Sequence, residues 1–547
     1  MRAADLLVRC LEQEGVRFLF GVPGEENIDL IDALSGSSIR TVVTRHEQGA
    51  AFMADVHGRL TGRAGVCLST LGPGATNLLT GLADANIDHA PVVAITGQAD
   101  LNRMHKESHQ YLDLVTLFRP VTKWNTQIKT ADIVPEAVRK AFKISQTEKP
   151  GTTHLDLPED VAKLETVEGP LLVQQPIAPE PHPRQLERAI ALLQTARQPL
   201  VIAGNGVIRS GASAALRQFS ERWRIPVVHT FMGKGALPDS HPLSLMTIGL
   251  AAHDYIAFAM ERADLVITVG YDQVEYPPRF WNPDRNKQII HIDQSPAEVD
   301  SAYVVSVGVL GDPALSLQLL AERAAPPKRN PGGVDLTAVR ELLLEELELG
   351  RKSTAFPLLP QTIVAQMREA LAPEDLLISD VGAHKLWIAR LYPTEQPNTC
   401  LISNGFASMG IAVPGAVAAK LLYPERKVLA ATGDGGFLMN SQELETACRV
   451  GTPFVTLIFN DGGYGLIGWK QERQFHRTAS VGFTNPDFVT YAESFGAKGY
   501  RVKAAGELLP ILRDALAQRV PAVIDCPVDY RENLKLSDRL SRLSPPF

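Results

Sequence analysis

The chain has 547 residues, too many for one hydrophobic core, and length alone predicts three or four domains. Hydrophobic residues at 45% and charged residues at 21% are ordinary for a soluble globular protein. A formal net charge of −7 argues against nucleic acid as a general partner, and no uninterrupted apolar stretch reaches the ~20 residues needed to cross a bilayer.

The N-terminus, MRAADLLVRCLEQEG, carries acids throughout and no small-residue cleavage site, so it predicts an amphipathic helix and not a signal peptide. The five cysteines (Cys10, Cys67, Cys400, Cys448, Cys526) show no CxxC and no metal-ligand spacing. An odd number inside apolar segments predicts buried reduced thiols in a cytoplasmic protein.

Residues 1–165 alternate helical and strand-like stretches. Leu6, Leu7, Cys10 and Leu11 give a helix face ending at Gly15, and Val16 to Phe20 reads as a strand before the turn Gly21-Val22-Pro23-Gly24. Thr41 to Val43, Gly65 to Thr70 and Pro91 to Thr96 continue the pattern. Strands alternating with helices predict a parallel sheet covered on both faces. A Pro-rich linker is expected over 166–184. A second α/β unit, 185–325, has strands at Leu200–Ala203, Pro226–His229, Leu265–Gly270 and Gln288–Ile292. Its Gly204-Asn205-Gly206 turn lacks the third glycine of a dinucleotide fingerprint, because position 209 is Arg, so a nicotinamide site is not expected. A second linker, 324–333, precedes a third unit over 350–530, and the polar tail after Asp529 reads as a surface strap.

The third unit carries the most informative stretch, KVLAATGDGGFLMNSQELETACRVGTPFVTLIFND, residues 427–461. Two apolar runs flank a helical stretch with Asn440 and Glu443 at capping-box spacing and Gly451 as its stop. This predicts one strand–helix–strand crossover, with Asp434 and Asp461 beyond the carboxyl ends of neighbouring parallel strands, where open α/β sheets bind ligands. Two carboxylates there suit a divalent cation carrying phosphate, and magnesium prefers one or two carboxylates plus phosphate oxygens. Gly435 and Gly436 open the crossover, where unpaired amides attract anions. A Gly-rich turn with two surface acids is the alternative at this point.

The 27-residue spacing from Asp434 to Asp461 resembles the GDG…N signature of thiamin-diphosphate enzymes. The resemblance implies three doubly wound parallel-sheet domains: pyrimidine-binding, central and diphosphate-binding. It implies thiamin diphosphate held through Mg²⁺ by Asp434, Asp461 and the Gly463 carbonyl, with Asp461 where most of the superfamily has Asn. Met409, 25 residues before Asp434, matches the apolar prop beneath the bent cofactor, and the Ala407 carbonyl would accept from its amino group. Glu47, in RHEQGAAFMADVHGR, matches the carboxylate that bonds the pyrimidine ring; read alone, it is equally a first-turn helix acid. Pro23, Thr70, Pro73 and Asn77 match the pyrimidine-side loops. Gly382, Ala383, His384, Gly435, Gly436 and Tyr464 match the diphosphate side.

Within the superfamily, His109-Gln110-Tyr111-Leu112-Asp113 and Gly270-Tyr271-Asp272-Gln273-Val274-Glu275-Tyr276 are similar to the catabolic, flavin-independent acetolactate synthases. The resemblance implies condensation of two pyruvates to 2-acetolactate and CO2 through a thiamin-bound enamine, with Gln110 and His109 as substrate-side residues. The alternatives are another thiamin-diphosphate 2-oxo acid decarboxylase or carboligase. The resemblance also argues against FAD and implies a homodimer at minimum, extending to a homotetramer. Lys470 departs from the family, which has Trp or Gln at that position.

Overall fold

Three parallel six-stranded sheets follow one another along the chain, in a computed structural model that describes residues 1–174, 177–249, 255–327 and 338–533. Short runs of Val, Ile, Leu and Ala, buried on both faces, form most of the inner strands, as parallel sheets sandwiched between helices require. The first sheet contains β1 (Phe18–Gly21), β2 (Arg40–Val43), β3 (Gly65–Ser69), β4 (Val92–Gln98), β5 (Trp124–Gln127) and β6 (Thr152–Pro158), in the order β2-β1-β3-β4-β6-β5. The central sheet contains β7 (Pro199–Ala203), β8 (Val227–His229), β9 (Ser244–Thr247), β10 (Leu265–Val269), β11 (Gln288–Asp293) and β12 (Val307–Leu310), in the order β12-β11-β10-β7-β8-β9. The third contains β13 (Leu376–Ser379), β14 (Cys400–Ile402), β15 (Val428–Gly433), β16 (Val455–Asn460), β17 (Lys498–Arg501) and β18 (Ala522–Pro527), in the order β14-β13-β15-β16-β18-β17. The first and third sheets therefore share one strand order, a likeness their sequences show only as a common rhythm.

Two local expectations change. The linker ends at His182, because Pro183 opens the helix Pro183–Thr195, where its missing N–H costs nothing. Asn440 and Glu443 do not form a capping box, because the chain turns at Ser441 and splits the stretch into the helices Asp434–Asn440 and Glu443–Val450. Asn440 donates instead to the Gly410 carbonyl at 2.9 Å. Gly451 does stop the second helix, at φ 72°. The second linker from residue 328 and the tail from residue 534 lie outside the described residues.

One core joins the first and third units. Helix Glu47–Thr61 packs its buried Ala50, Ala51 and Met53 with Val413, Ala416 and Val417 of helix Ala412–Leu422. Small residues set the spacing: a Cβ on Gly415 would stand 2.8 Å from Val56, and one on Gly81 would stand 2.5 Å from Ala51. All five cysteines are free thiols, and all but the half-buried Cys448 are buried. Among the described residues, no helix is long and apolar enough to cross a membrane.

Candidate active site

The order in which strands are added to the third sheet reverses between the parallel neighbours β13 and β15, and the chain leaves the carboxyl ends of both strands toward one cavity of about 170 Å3. Such a switch point is where open α/β sheets hold ligands. Gly382, Ala383 and His384 reach the cavity from β13, and Asp434, Gly435 and Gly436 reach it from β15. Asp461, Gly463 and Tyr464 enter after β16, and Ala407 and Met409 close another side. Every residue predicted for the diphosphate side thus lines one cavity.

Asp434 is fixed before any ligand arrives. Its Oδ1 accepts the Gly435 N–H at 2.9 Å, and its Oδ2 accepts the Gly462 N–H at 2.8 Å and Asn485 Nδ2 at 2.7 Å. β15 and β16 are parallel neighbours, with Gly433 beside Phe459, which brings Asp461 alongside. Desolvation, and then the Asp434 charge, push the Asp461 carboxyl up to about 7. Burial likewise raises Asp434. Two carboxylates placed side by side in this way could hold a cation between them. Among the described residues no three His, Cys, Asp or Glu side chains form a metal cluster, so a cation there takes its remaining ligands from backbone, water or phosphate.

The glycines hold the cavity open. A Cβ on Gly435 would sit 2.9 Å from the Tyr464 ring, and one on Gly382 would sit 2.8 Å from the His384 imidazole. His384 is buried, burial pushes its pKa down to about 3, and its Nε2 has no protein partner. The ring edge that approaches Gly382 and Gly433 is Cε1 and Nδ1.

The N-terminal candidates form a second cluster. Glu47 is the first residue of its helix and is also partnered in space: Asn77 Nδ2 donates to its carboxylate at 2.9 Å. Thr70 Oγ1 donates to Glu26 at 2.8 Å, and the Pro23 turn packs on it so tightly that a Cβ on Gly24 would stand 2.4 Å from Thr70. Gln110, at φ 56°, backs onto Gly72 beside Pro73, where a Cβ would meet its carbonyl at 2.7 Å. His109 is exposed next to it. The 170 Å3 cavity, however, is lined only by residues between Val381 and Tyr530, so within one chain the two clusters do not share it.

Several contributors carried no sequence signal. Asn485 lies 51 residues beyond the Asp434 it bonds. Tyr530 lines the cavity from the segment read as a tail. Glu443 looked like a cap. In the central unit the Gly204 turn is filled by the protein itself, as the buried Glu275 carboxylate accepts the Asn205 N–H at 3.1 Å and the Thr230 hydroxyl.

Comparison with known proteins agrees with this geometry. Residues 1–117, 186–320 and 380–526 match the N-terminal TPP binding, central and C-terminal TPP binding domains of thiamine pyrophosphate enzymes. The chain is 37% identical to an acetolactate synthase of Bacillus subtilis (strain 168), over 99% of this chain and 96% of the relative. It is 37% identical to a catabolic acetolactate synthase of Raoultella terrigena, over 98% and 97%. It is 36% identical to a probable acetolactate synthase large subunit of Methanocaldococcus jannaschii, over 100% and 96%. The chain belongs to the acetolactate synthase family of thiamine pyrophosphate enzymes. In that family's terms, the switch-point cavity lies in the C-terminal TPP binding domain, and Glu47 with Asn77 lies in the N-terminal one.

Proposed function

We propose that the chain is an acetolactate synthase that condenses two pyruvates to 2-acetolactate and CO2. The observation that carries this reading is the convergence of Asp434, Asp461, Met409 and His384 on one cavity at the switch point of a TPP-binding domain. Bound thiamin diphosphate supplies the carbanion chemistry of decarboxylation. The protein's part is to hold and orient. Asp434 and Asp461 would hold Mg²⁺ together with the Gly463 carbonyl, and the turn that Gly435 and Gly436 keep open would take the diphosphate; the Gly435 N–H, expected to be free for an anion, is instead spent on Asp434. Met409 and the Ala407 carbonyl, which line the cavity, would contact the cofactor's bent pyrimidine end. Glu47, kept in place by Asn77, would present its carboxylate to the pyrimidine ring. Gln110 and His109 face the substrate side.

A homodimer is the minimum working unit in this reading, because a second chain brings a Glu47 cluster to a cavity that lacks one. Light scattering distinguishes it from the tetramer that the resemblance also implies. Flavin is not expected from the resemblance, and the Glu275 carboxylate on the Asn205 N–H supports that reading. The buried free thiols support a cytoplasmic location.

Product analysis with pyruvate, thiamin diphosphate and Mg²⁺, before and after acidification, tests the assignment. Acetolactate that converts to acetoin in acid is expected. Acetaldehyde alone would move the protein to the decarboxylases.

A further inference from the structure

The stretch from Ser403 to Gly410 delivers Ala407 and Met409 to the cavity, and it is tied down at both ends. At the far end the holders belong to the same unit: Asp380 Oδ1 accepts the Gly410 N–H at 2.8 Å, and Asn440 donates to the Gly410 carbonyl. At the near end they come from the N-terminal unit. Asp84 Oδ1 accepts both Ser403 Oγ at 2.7 Å and the Ser408 N–H at 3.0 Å, so a single oxygen closes the excursion between them. Asp88 accepts the Asn404 N–H at 3.0 Å and the Gly405 N–H at 2.5 Å. Position 405 has no room for a side chain, since a Cβ would fall 2.5 Å from that carboxylate.

Behind these acids stands Arg59. Its guanidinium meets Asp55 at 2.6 Å, Asp84 at 3.0 Å and Asp88 at 3.0 Å, and the three carboxylates are wholly inaccessible. Three buried carboxylates around one guanidinium make a poor stabilising device, because desolvation opposes the Coulomb gain. The charge left over is taken up by the loop's N–H and O–H donors. Lys385, on helix Ala383–Leu391, grips the same loop, donating to the Ser403 carbonyl and to Asn404 Oδ1 at 3.1 Å each. Between the two ties Ala407 sits at φ 57°, a left-handed conformation that an L-residue keeps only when its surroundings impose it.

We propose that Asp84 and Asp88, braced by Arg59, are positioning residues that impose this conformation and so set the Ala407 carbonyl and Met409 against the cofactor. The inference rests on the cavity being the cofactor site. It assigns the N-terminal unit a second task, separate from presenting Glu47, and the helix Pro73–Ile87 with its cap Asp88 performs both, through Asn77 near one end and Asp84 near the other.

The test is titration of the full-length apoprotein with thiamin diphosphate at saturating Mg²⁺, read by intrinsic fluorescence and by the circular dichroism of the bound cofactor. Asp88→Asn and Ser403→Ala are each expected to weaken cofactor binding about tenfold. Adding Ala407→Gly to either should recover about fivefold, because glycine adopts the left-handed conformation without the clamp. A merely structural role would lower the melting temperature, leave the cofactor Kd unchanged and give no rescue. Kd values within about twofold of wild type in both variants, or no recovery with Ala407→Gly, would overturn the proposal. If Asp88→Asn does not fold, Ser403→Ala, which removes one hydroxyl, decides alone. A wild-type protein that binds no cofactor overturns the functional reading and this inference with it, whereas unchanged variants of a cofactor-binding wild type overturn this inference only.

Discussion

The Glu443 carboxylate accepts the His46 N–H at 3.1 Å across 397 residues of sequence, and it accepts the Arg45 N–H at the same distance. Glu47 follows directly, as the first residue of its helix. A side chain of the C-terminal unit therefore fixes where the helix carrying the proposed pyrimidine partner begins. Gly49 permits the approach, since a Cβ there would lie 2.6 Å from Glu443 Oε1.

Glu443→Ala leaves two part-buried N–H groups without their acceptor and opens a void, at an expected cost of roughly 2–4 kcal/mol in stability. Because the lost contact sets the start of the Glu47 helix, kcat should fall more than KM changes. Urea unfolding with steady-state kinetics checks both, and an unaltered kcat would separate Glu443 from catalysis.

Glu443 also gives a pH dependence of defined sign. Burial, the largest cause, raises its carboxyl from 4.5 to about 7. Between those values the folded protein holds a proton that the unfolded chain has released, so stability falls as pH rises through the window. Thermal unfolding from pH 5 to 7 should show a shallower decline in Glu443→Gln than in wild type. Parallel profiles would mean that Glu443 does not titrate there.

Glu47→Gln keeps the side-chain volume and leaves Asn77 an acceptor oxygen, so cofactor binding should survive. Turnover should fall about 10²–10⁴-fold, the usual span for a lost acid–base group. Binding by fluorescence and turnover by pyruvate consumption are measured on the same preparation, and near-normal turnover would remove Glu47 from the mechanism.

The strands around the cavity were legible because parallel-sheet strands are continuous apolar runs, and Asp434 and Asp461 were legible because the glycines beside them mark strand ends. Two edge strands were not: β5 (WNTQ) and β17 (KGYR) are largely polar and only partly buried, so neither periodicity nor apolarity marks them. Contacts between units were equally invisible. Asp84 and Asp88 stand in no motif and Glu443 reads as a cap, whereas in the fold they meet backbone N–H groups more than 300 residues away. Asn440 shows the limit of local rules, since a residue spaced as a cap is drawn into holding the Gly410 loop.

The paired acids predict how metal and protons compete. Without a cation, desolvation and Asp434 hold the Asp461 carboxyl at about 7, against 3.8 for a free one. A divalent cation requires both carboxylates ionised, so below about pH 7 it must displace a proton, and its apparent affinity should drop by up to about tenfold per pH unit. Asp461→Asn removes that proton and keeps a neutral oxygen ligand. Its Mg²⁺ affinity should vary less steeply than wild type from pH 5.5 to 7.5, keeping only the slope that the cofactor's own phosphate contributes, and should be weaker than wild type only at the alkaline end, where the second charge would have contributed. Asp434→Ala, by contrast, removes the acceptor of Gly435, Gly462 and Asn485 together with the ligand, and should abolish metal-dependent cofactor binding at every pH. Calorimetric Mg²⁺ titrations in the presence of thiamin diphosphate, repeated across this pH range after chelation of endogenous metal, check the three profiles. A wild-type affinity that does not change with pH would show that Asp461 carries no proton for the metal to displace in this range.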